Sequence, residues 1–149
     1  MEQNPDGVSD TAARAARDLT VVINRLRRRL RSVAEDEDLT PPQVSALTLV
    51  GKHGAATASA LASAEGVRPQ SMATTLAALD RAGLIHRNPD PEDGRRQLIT
   101  LTPAGRERIE GDRRARHRWL ARTLEERYDE EERRTLLDAL TLLERLTES

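Results

Sequence analysis

Apolar residues recur at helical spacing along the first part of the chain. They form one stripe over more than four turns, made of Leu19, Val22, Ile23, Leu26, Leu30 and Val33. This pattern predicts one long amphipathic helix over about residues 11–38, preceded by a mobile arm over residues 1–10, where apolar residues are scarce. The acidic residues 35–38 should end the helix, because negative charge is unfavourable at the negative end of the helix dipole.

A second helix is predicted to begin at Thr40 and Pro41. Threonine caps a helix N-terminus well, and proline suits the first turn, where a missing N–H costs little. Gly51 and Gly54 are expected to bracket the end of this helix. The positions expected to face inward are Val44, Leu47 and Val50.

Two short helices separated by a glycine-containing turn follow. The first covers residues 57–62, the turn covers 65–67, and the second opens at Arg68 and ends at Gly83. The second helix is expected to bury Met72, Leu76 and Leu79. This arrangement is typical of a helix-turn-helix.

Alternating and turn-forming residues then predict a β-hairpin, or wing. Residues 84–87 and 97–101 are predicted strands, and residues 88–94 form the loop between them. Thr102 and Pro103 predict the start of a long helix to about Arg127, and a last helix covers about residues 129–147. The expected fold is therefore all-α with a small β-hairpin wing: a winged helix-turn-helix lobe over 39–102, flanked by helical segments at 11–38 and 103–149.

Composition excludes several classes of protein. A length of 149 residues fits one domain, and the absence of cysteine excludes disulfide scaffolds and cysteine-based zinc sites. No apolar run approaches the roughly 20 residues of a membrane span, and the N-terminus lacks the pattern of a secretory signal, so we expect a cytoplasmic protein. Lys52 is the only lysine. The arginine excess suits phosphate contacts, although codon bias in a GC-rich genome explains it equally well.

Two sequence runs resemble the MarR family of transcriptional regulators. Residues 93–105, DGRRQLITLTPAG, are similar to the wing signature of that family, and residues 66–85, GVRPQSMATTLAALDRAGLI, are similar to its turn and recognition helix. The resemblance extends from about residue 11 to the C-terminus. It implies a homodimeric winged-helix repressor whose terminal helices interleave. The recognition helices would contact the major grooves of double-stranded DNA at an inverted-repeat operator, and the wings would contact the minor grooves. A small anionic or aromatic effector would release the protein from this operator.

Short polar side chains at the start of the predicted recognition helix are suited to reading base edges. These candidates lie off the apolar stripe and are Arg68, Gln70, Ser71, Thr74 and Thr75. Pro69 is expected to start the helix, Arg68 to contact guanine and Gln70 to contact adenine. Phosphate contacts by these two side chains, or an ordinary solvated face, are the alternatives.

Arg95 and Arg96 follow the predicted wing loop. An arginine at a hairpin tip can enter a narrow minor groove, where negative potential is concentrated. Asp93 is expected to pair with Arg95 and orient it, while the acidic residues of the loop repel DNA. The alternative is a turn that is merely soluble.

Other charged residues carry weaker signals. The arginines at 25–31 and at 113–118 are expected to form solvated faces paired with the glutamates at 125–132, with direct phosphate contact as the alternative. His53, His86 and His117 lack metal-ligand spacing, and no catalytic motif is present, so we expect no metal, no cofactor and no enzymatic activity. Two alternatives stay open: a winged-helix protein-interaction module without DNA binding, and a hydrolase, which would need Ser or Asp and His to converge in a cleft.

Overall fold

A computed structural model describes residues 7–34 and 38–148. In this part of the chain there are six helices and a small sheet. Their order is α1 (Asp10–Val33), α2 (Pro41–His53), β1 (Ala56–Thr57), α3 (Ala58–Glu65), α4 (Pro69–Arg81), β2 (Ile85–Pro89), β3 (Gln97–Leu101), α5 (Pro103–Arg127) and α6 (Glu130–Glu144). The sheet is antiparallel with strand order β1-β3-β2. The predicted mostly helical fold with a hairpin wing is confirmed.

Local capping explains where several helices begin. Thr40 and Gln43 form a reciprocal capping box at α2: the Gln43 N–H donates to Thr40 Oγ1 at 3.4 Å, and the Thr40 N–H donates to Gln43 Oε1 at 3.1 Å. Thr102 caps α5 and Asp129 caps α6 in the same position. The predicted starts of α2 and α5 are therefore confirmed.

The boundaries of the first and third helices differ from the prediction. Helix α1 begins at Asp10 because the Ser9 hydroxyl accepts the Ala12 N–H at 3.2 Å, and it ends at Val33. Most of the predicted arm and the acidic residues 35–37 lie outside the described residues. Helix α3 continues to Glu65, because the left-handed Gly66 (φ +64°) is what ends it.

Three further differences concern the second helix and the sheet. Gly51 lies inside α2, where a Cβ would come 2.9 Å from Ile109 Cδ1, so the absence of a side chain here allows α5 to pack closely against α2. The helix ends at Gly54 alone. Strand β1 was not predicted. Strand β2 extends into the predicted loop, since it lies at the sheet edge, where Pro89 removes no hydrogen bond from the ladder.

The hydrophobic core lies within the lobe formed by α2 to β3. Its fully buried side chains are Leu47, Val50, Leu61, Leu76, Leu79, Ile85 and Ile99. Met72 is also buried, whereas Val44 is half-buried. In contrast, α1 and α6 bury no residue within this chain, and α5 buries only Gly105.

A compact hydrogen-bonded junction fixes the wing to α5. Thr102 Oγ1 donates to the Gly83 carbonyl at 2.7 Å and accepts from the Gly105 N–H at 2.9 Å, while the Thr102 N–H donates to the Leu84 carbonyl at 3.1 Å. A Cβ at Gly105 would overlap the Leu84 carbonyl oxygen and lie 3.1 Å from its carbon. The Leu-Thr-x-x-Gly sequence therefore sets the approach of α5 to the sheet.

Candidate nucleic-acid interface

The first turn of α4 projects from the lobe. The left-handed Gly66 turns the chain, and the Val67 N–H donates to the Ala62 carbonyl at 3.0 Å. Pro69 then occupies the first turn, as predicted. Of the predicted readout residues, those exposed are Arg68, Pro69, Gln70, Ser71 and Thr74, and Thr75 is half-buried. The buried stripe of α4 faces the core, so these residues share an outward surface.

Some of these polar groups already have backbone partners, and others do not. The Thr74 and Thr75 hydroxyls donate to the carbonyls of Gln70 and Ser71, each at 3.1 Å. Their oxygens keep lone pairs for accepting hydrogen bonds from base amino groups. Among the described residues, the side chains of Arg68 and Gln70 make no hydrogen bond or ion pair. They are therefore available to a ligand at this surface.

The wing is a five-pair hairpin closed by a tight loop. Ile85 pairs with Leu101 at its base and Pro89 with Gln97 near its tip. The Asp90 N–H donates to the Arg96 carbonyl at 2.9 Å, and the Glu92 N–H donates to Asp90 Oδ1 at 2.9 Å. These two hydrogen bonds fix the backbone of the loop at Asp90 and Glu92.

The expected side-chain pairing of Asp93 with Arg95 is wrong. Asp93 Oδ1 accepts only the backbone N–H of Arg95, at 3.1 Å, whereas its Oδ2 lies 3.7 Å from Arg96 Nε. The turn that bonds the Arg96 N–H to the Asp93 carbonyl at 3.0 Å brings these two residues together. Both arginines are exposed, and the described residues hold no ion-pair partner for the Arg95 side chain.

Within the described part of a single chain, the arginines at 113–118 do not pair with the glutamates at 125–132. Arg114 contacts Glu107 at 2.9 Å and Glu110 at 4.0 Å on its own helix. Arg116 Nε donates to the Leu30 carbonyl at 3.3 Å. Glu125 and Glu130 instead pair with Arg133, and Glu130 also with Arg134. Three of these five ion pairs join residues three or four apart on one helix, whereas Arg114–Glu107 and Arg133–Glu125 span seven and eight residues.

Helices α1 and α5 meet through an aromatic contact. The Arg29 guanidinium lies over the ring of Trp119, 5.2 Å from its centroid. Trp119 is half-buried, which leaves part of the ring open to solvent in the single chain. This cation–π contact ties the first-helix arginine cluster to α5.

Sequence reasoning missed an ion-pair cluster at the α1–α2 connection. Arg108 contacts both carboxylate oxygens of Asp38 at 3.2 Å, and its Nε lies 3.4 Å from Asp112. The hydrogen bond from Arg108 holds the pKa of Asp38 below its usual value. Arg108 and Asp38 are 70 residues apart, so no local pattern signals the contact.

An open groove of about 740 Å³ lies between α2, β3 and α5. Its apolar wall includes the half-buried Leu101 and Ile109, and its cationic side chains are Lys52, Arg106 and Arg113. Glu110 is the acidic residue that lines it. An apolar wall beside several cations is suited to an anionic molecule with a hydrophobic body.

The described residues contain neither a candidate metal cluster nor a candidate membrane span. No group of three or more His, Cys, Asp or Glu side chains could hold a metal ion there. No helix in the described ranges combines the length and the apolar character that a membrane crossing requires.

Comparisons with known proteins agree on one family. The model of the MarR family matches residues 39–96. An HTH-type transcriptional regulator of Mycobacterium bovis is 42% identical over 115 residues, which cover 77% of this chain and 80% of the relative. The crystal structure of a putative transcriptional regulator from Pseudomonas aeruginosa has 34% identity and a TM-score of 0.76, covering 95% of this chain and 99% of that one.

A relative with bound nucleic acid has the same fold. A mutant of S. aureus MepR bound to an oligodeoxyribonucleotide has 25% identity and a TM-score of 0.67, covering 88% of this chain and 96% of that one. The family and these relatives are regulators of transcription and not enzymes. This chain therefore belongs to the MarR family of DNA-binding winged helix-turn-helix transcriptional regulators.

Proposed function

We propose that the protein is a homodimeric, sequence-specific repressor that binds an inverted-repeat operator and is released by a small anionic ligand. The observation that carries the proposal is the exposed first turn of α4 beside an arginine-bearing wing on the same lobe. A helix and a hairpin presented together fit one major groove and the adjacent minor groove.

Exposed apolar side chains on the outer helices support the dimer. On α1, Val22 is 57% exposed, and on α6 the exposed fractions of Leu137 and Leu140 are 63% and 48%. Such surface is costly to leave in water. The arginines of α1 and the acidic first turn of α6 are also complementary in charge. A second copy of the chain, with its α1, α5 and α6 interleaved with those of the first, would cover both surfaces.

Sedimentation velocity at micromolar concentration tests the dimer. We expect Leu140→Arg to give monomers, because it places a charge in the apolar stripe. Asp138→Arg is the matched control: it lies about 200° away around α6 and should remain dimeric. A folded, monomeric native protein at these concentrations would contradict the proposal.

Sequence reading is assigned to the first turn of α4. Two recognition helices related by a two-fold axis should read half-sites about 10 bp apart. With an operator selected from genomic fragments, Arg68→Ala and Gln70→Ala should each cost about 1 to 3 kcal/mol of binding free energy and relax the preference at one base position. Arg81→Ala, at the other end of the helix, is the control. An equal loss on every sequence would reassign both side chains to phosphate.

Minor-groove contact is assigned to Arg95, with Asp93 and Arg96 shaping the loop beside it. Arg95→Ala should weaken binding chiefly on A·T-rich flanks, where the groove is narrow, and Arg95→Lys should restore part of the loss. Titrations at several salt concentrations, on duplexes that differ only in their flanks, measure this. The same loss on G·C-rich flanks would mean that Arg95 holds phosphate.

Ligand release is assigned to the cationic groove between α2, β3 and α5. Benzoate, as a minimal aromatic carboxylate, is a suitable first probe, followed by larger homologues. We expect Lys52→Gln and Arg113→Gln to reduce the ligand effect on operator affinity, while Arg122→Gln, which removes an exposed charge of α5 that does not line the groove, should preserve it. An unchanged response in both groove variants would place the ligand elsewhere.

The alternative is a winged-helix protein-interaction module without DNA binding. A folded dimer that shows no salt-dependent affinity for any duplex would favour it, since phosphate contacts make DNA binding fall with salt concentration.

A further inference from the structure

We infer that Arg87 is a positioning residue that holds the wing at the angle to α4 at which one lobe contacts both grooves. This inference rests on the proposed function. It adds a residue that touches neither groove in the proposal, and whose effect on DNA is exerted through the wing.

The Arg87 side chain reaches from the wing to the last turn of the recognition helix. Arg87 is the central residue of β2 and pairs with Ile99 of β3. Its side chain is 29% exposed, and its Nε lies 3.6 Å from Asp80 Oδ2 in the last turn of α4. Within the described part of the chain, Nε and Nη2 are buried without a hydrogen-bond partner.

Stability alone does not account for this arrangement. Buried N–H groups without a hydrogen-bond partner are costly, and a separation of 3.6 Å is long for a charge-assisted hydrogen bond. An apolar side chain of similar length would fill the same space without leaving N–H groups unsatisfied. The charge pair is therefore better explained by what it connects than by the free energy it adds.

The pair spans the turn between α4 and β2. That turn pivots on Gly83, whose φ is +74°, and it is held by the Leu84 N–H donating to the Leu79 carbonyl at 3.0 Å. The Arg87–Asp80 contact connects the two elements on either side of the turn. It limits rotation of the hairpin relative to the recognition helix.

A small rotation there would matter at the wing tip. The two strand residues beyond Arg87, Asn88 and Pro89, extend the hairpin by roughly 7 Å at about 3.3 Å per residue. A tilt of about 15° at Arg87 would then move the end of the strand by about 2 Å, and the loop beyond it by more, which exceeds the tolerance of a hydrogen bond. The angle set by Arg87 would thus decide whether Arg95 reaches the minor groove while α4 occupies the major groove.

The first test compares operator affinity on A·T-rich and G·C-rich flanks. We expect Arg87→Met to weaken binding about tenfold on A·T-rich flanks and to reduce the flank preference to that of Arg95→Ala. The double variant Arg87→Met with Arg95→Ala should lose no more flank preference than either single variant, since both substitutions act on the same contact of Arg95 with the minor groove. Arg87→Lys should restore part of it. Arg81→Met is the control, because Arg81 is exposed and lies beside Asp80 in the last turn of α4. This variant should keep the native preference for A·T-rich flanks.

The second test measures wing orientation without DNA. Because the sequence contains no cysteine, spin labels at Ala73→Cys and Glu92→Cys report the distance between α4 and the wing loop alone. Excess unlabelled chain removes signals between protomers. The distance distribution should broaden in Arg87→Met and in Asp80→Asn, with melting temperatures within a few degrees of the native value.

The outcomes separate the two proposals. An unchanged distance distribution in Arg87→Met, or a native flank preference in Arg87→Met while Arg95→Ala loses it, overturns the inference and leaves the proposed function intact. Equal binding loss on all flanks together with a large fall in melting temperature would reduce Arg87 to a structural role. No flank effect in Arg95→Ala itself refutes the proposed wing contact and, with it, the role of Arg87 in binding.

Discussion

Replacing Gly105 by alanine should destabilise the protein through one backbone overlap. The added Cβ would fall within contact distance of the Leu84 carbonyl oxygen and lie 3.1 Å from its carbon. That carbonyl accepts the Thr102 N–H at 3.1 Å, and Thr102 is only 7% exposed. The backbone cannot move aside as a flexible side chain could, so relief requires the wing and α5 to separate.

The magnitude follows from three contributions. Overpacking by one methyl costs about 1 to 3 kcal/mol. Displacing the Leu84 carbonyl leaves the buried Thr102 N–H unsatisfied, at a cost of about 1 to 3 kcal/mol. Alanine in place of glycine in a helix returns about 0.5 to 1 kcal/mol. The net loss is about 3 kcal/mol, which lowers the melting temperature by roughly 6 to 12 °C for a chain of this size.

Thermal and urea unfolding at one fixed protein concentration measure the change, since melting of an oligomer depends on concentration. Gly111→Ala is the matched control, because it makes the same substitution on the same helix, where the nearest atom to a Cβ is a flexible Arg114 nitrogen at 3.9 Å. It should raise stability by about 0.5 to 1 kcal/mol. If Gly105→Ala also gained stability, or lost less than about 1 kcal/mol, the close approach at Leu84 would not hold α5 in place.

Two further predictions concern the junctions of the lobe. Thr102→Val should cost about 2 to 4 kcal/mol in urea unfolding, because it leaves the Gly83 carbonyl and the Gly105 N–H without their partner, whereas Thr102→Ser should keep most of the stability. Asp38 has a folded pKa below its unfolded value, so its pairing with Arg108 stabilises the fold above the unfolded pKa of about 3.9 and is lost as the pH falls through the folded pKa. Asp38→Asn should therefore lower the melting temperature at pH 7, and the difference from the native protein should shrink below about pH 4; a constant difference would contradict this pairing.

Local signals predicted most of the helices. The caps Thr40 and Thr102 and the buried stripe of α4 were correct because each depends on residues within one or two turns. The features that were missed depend on contacts between residues that are far apart along the sequence. Strand β1 has only two residues, and its extended conformation depends on hydrogen-bonded pairing with β3. Gly51 was assigned to a helix end because the residue it packs against, Ile109, is distant in sequence.

In the candidate site, too, local features could be predicted from the sequence, whereas contacts between separate elements could not. Exposure of the first turn of α4 follows from the helical period, and the readout residues assigned to it remain predictions. The partner of Asp93 depends on the exact turn of the loop, which selects Arg96 over its immediate neighbour. The Arg108 cluster and the Arg87–Asp80 contact join separate elements, and sequence patterns over one element do not reach them.

The lobe from α2 to β3 encloses its own core, while no residue of α1 or α6 is fully buried within one chain. With dimerisation as proposed, folding of the DNA-contacting surface and assembly of the active regulator are separate equilibria. Below the dimer dissociation constant, the concentration of dimers rises with the square of the protomer concentration. Promoter occupancy would then respond more steeply than linearly to the dosage of its own gene, and a twofold change in expression would alter occupancy by up to about fourfold before any effector is present.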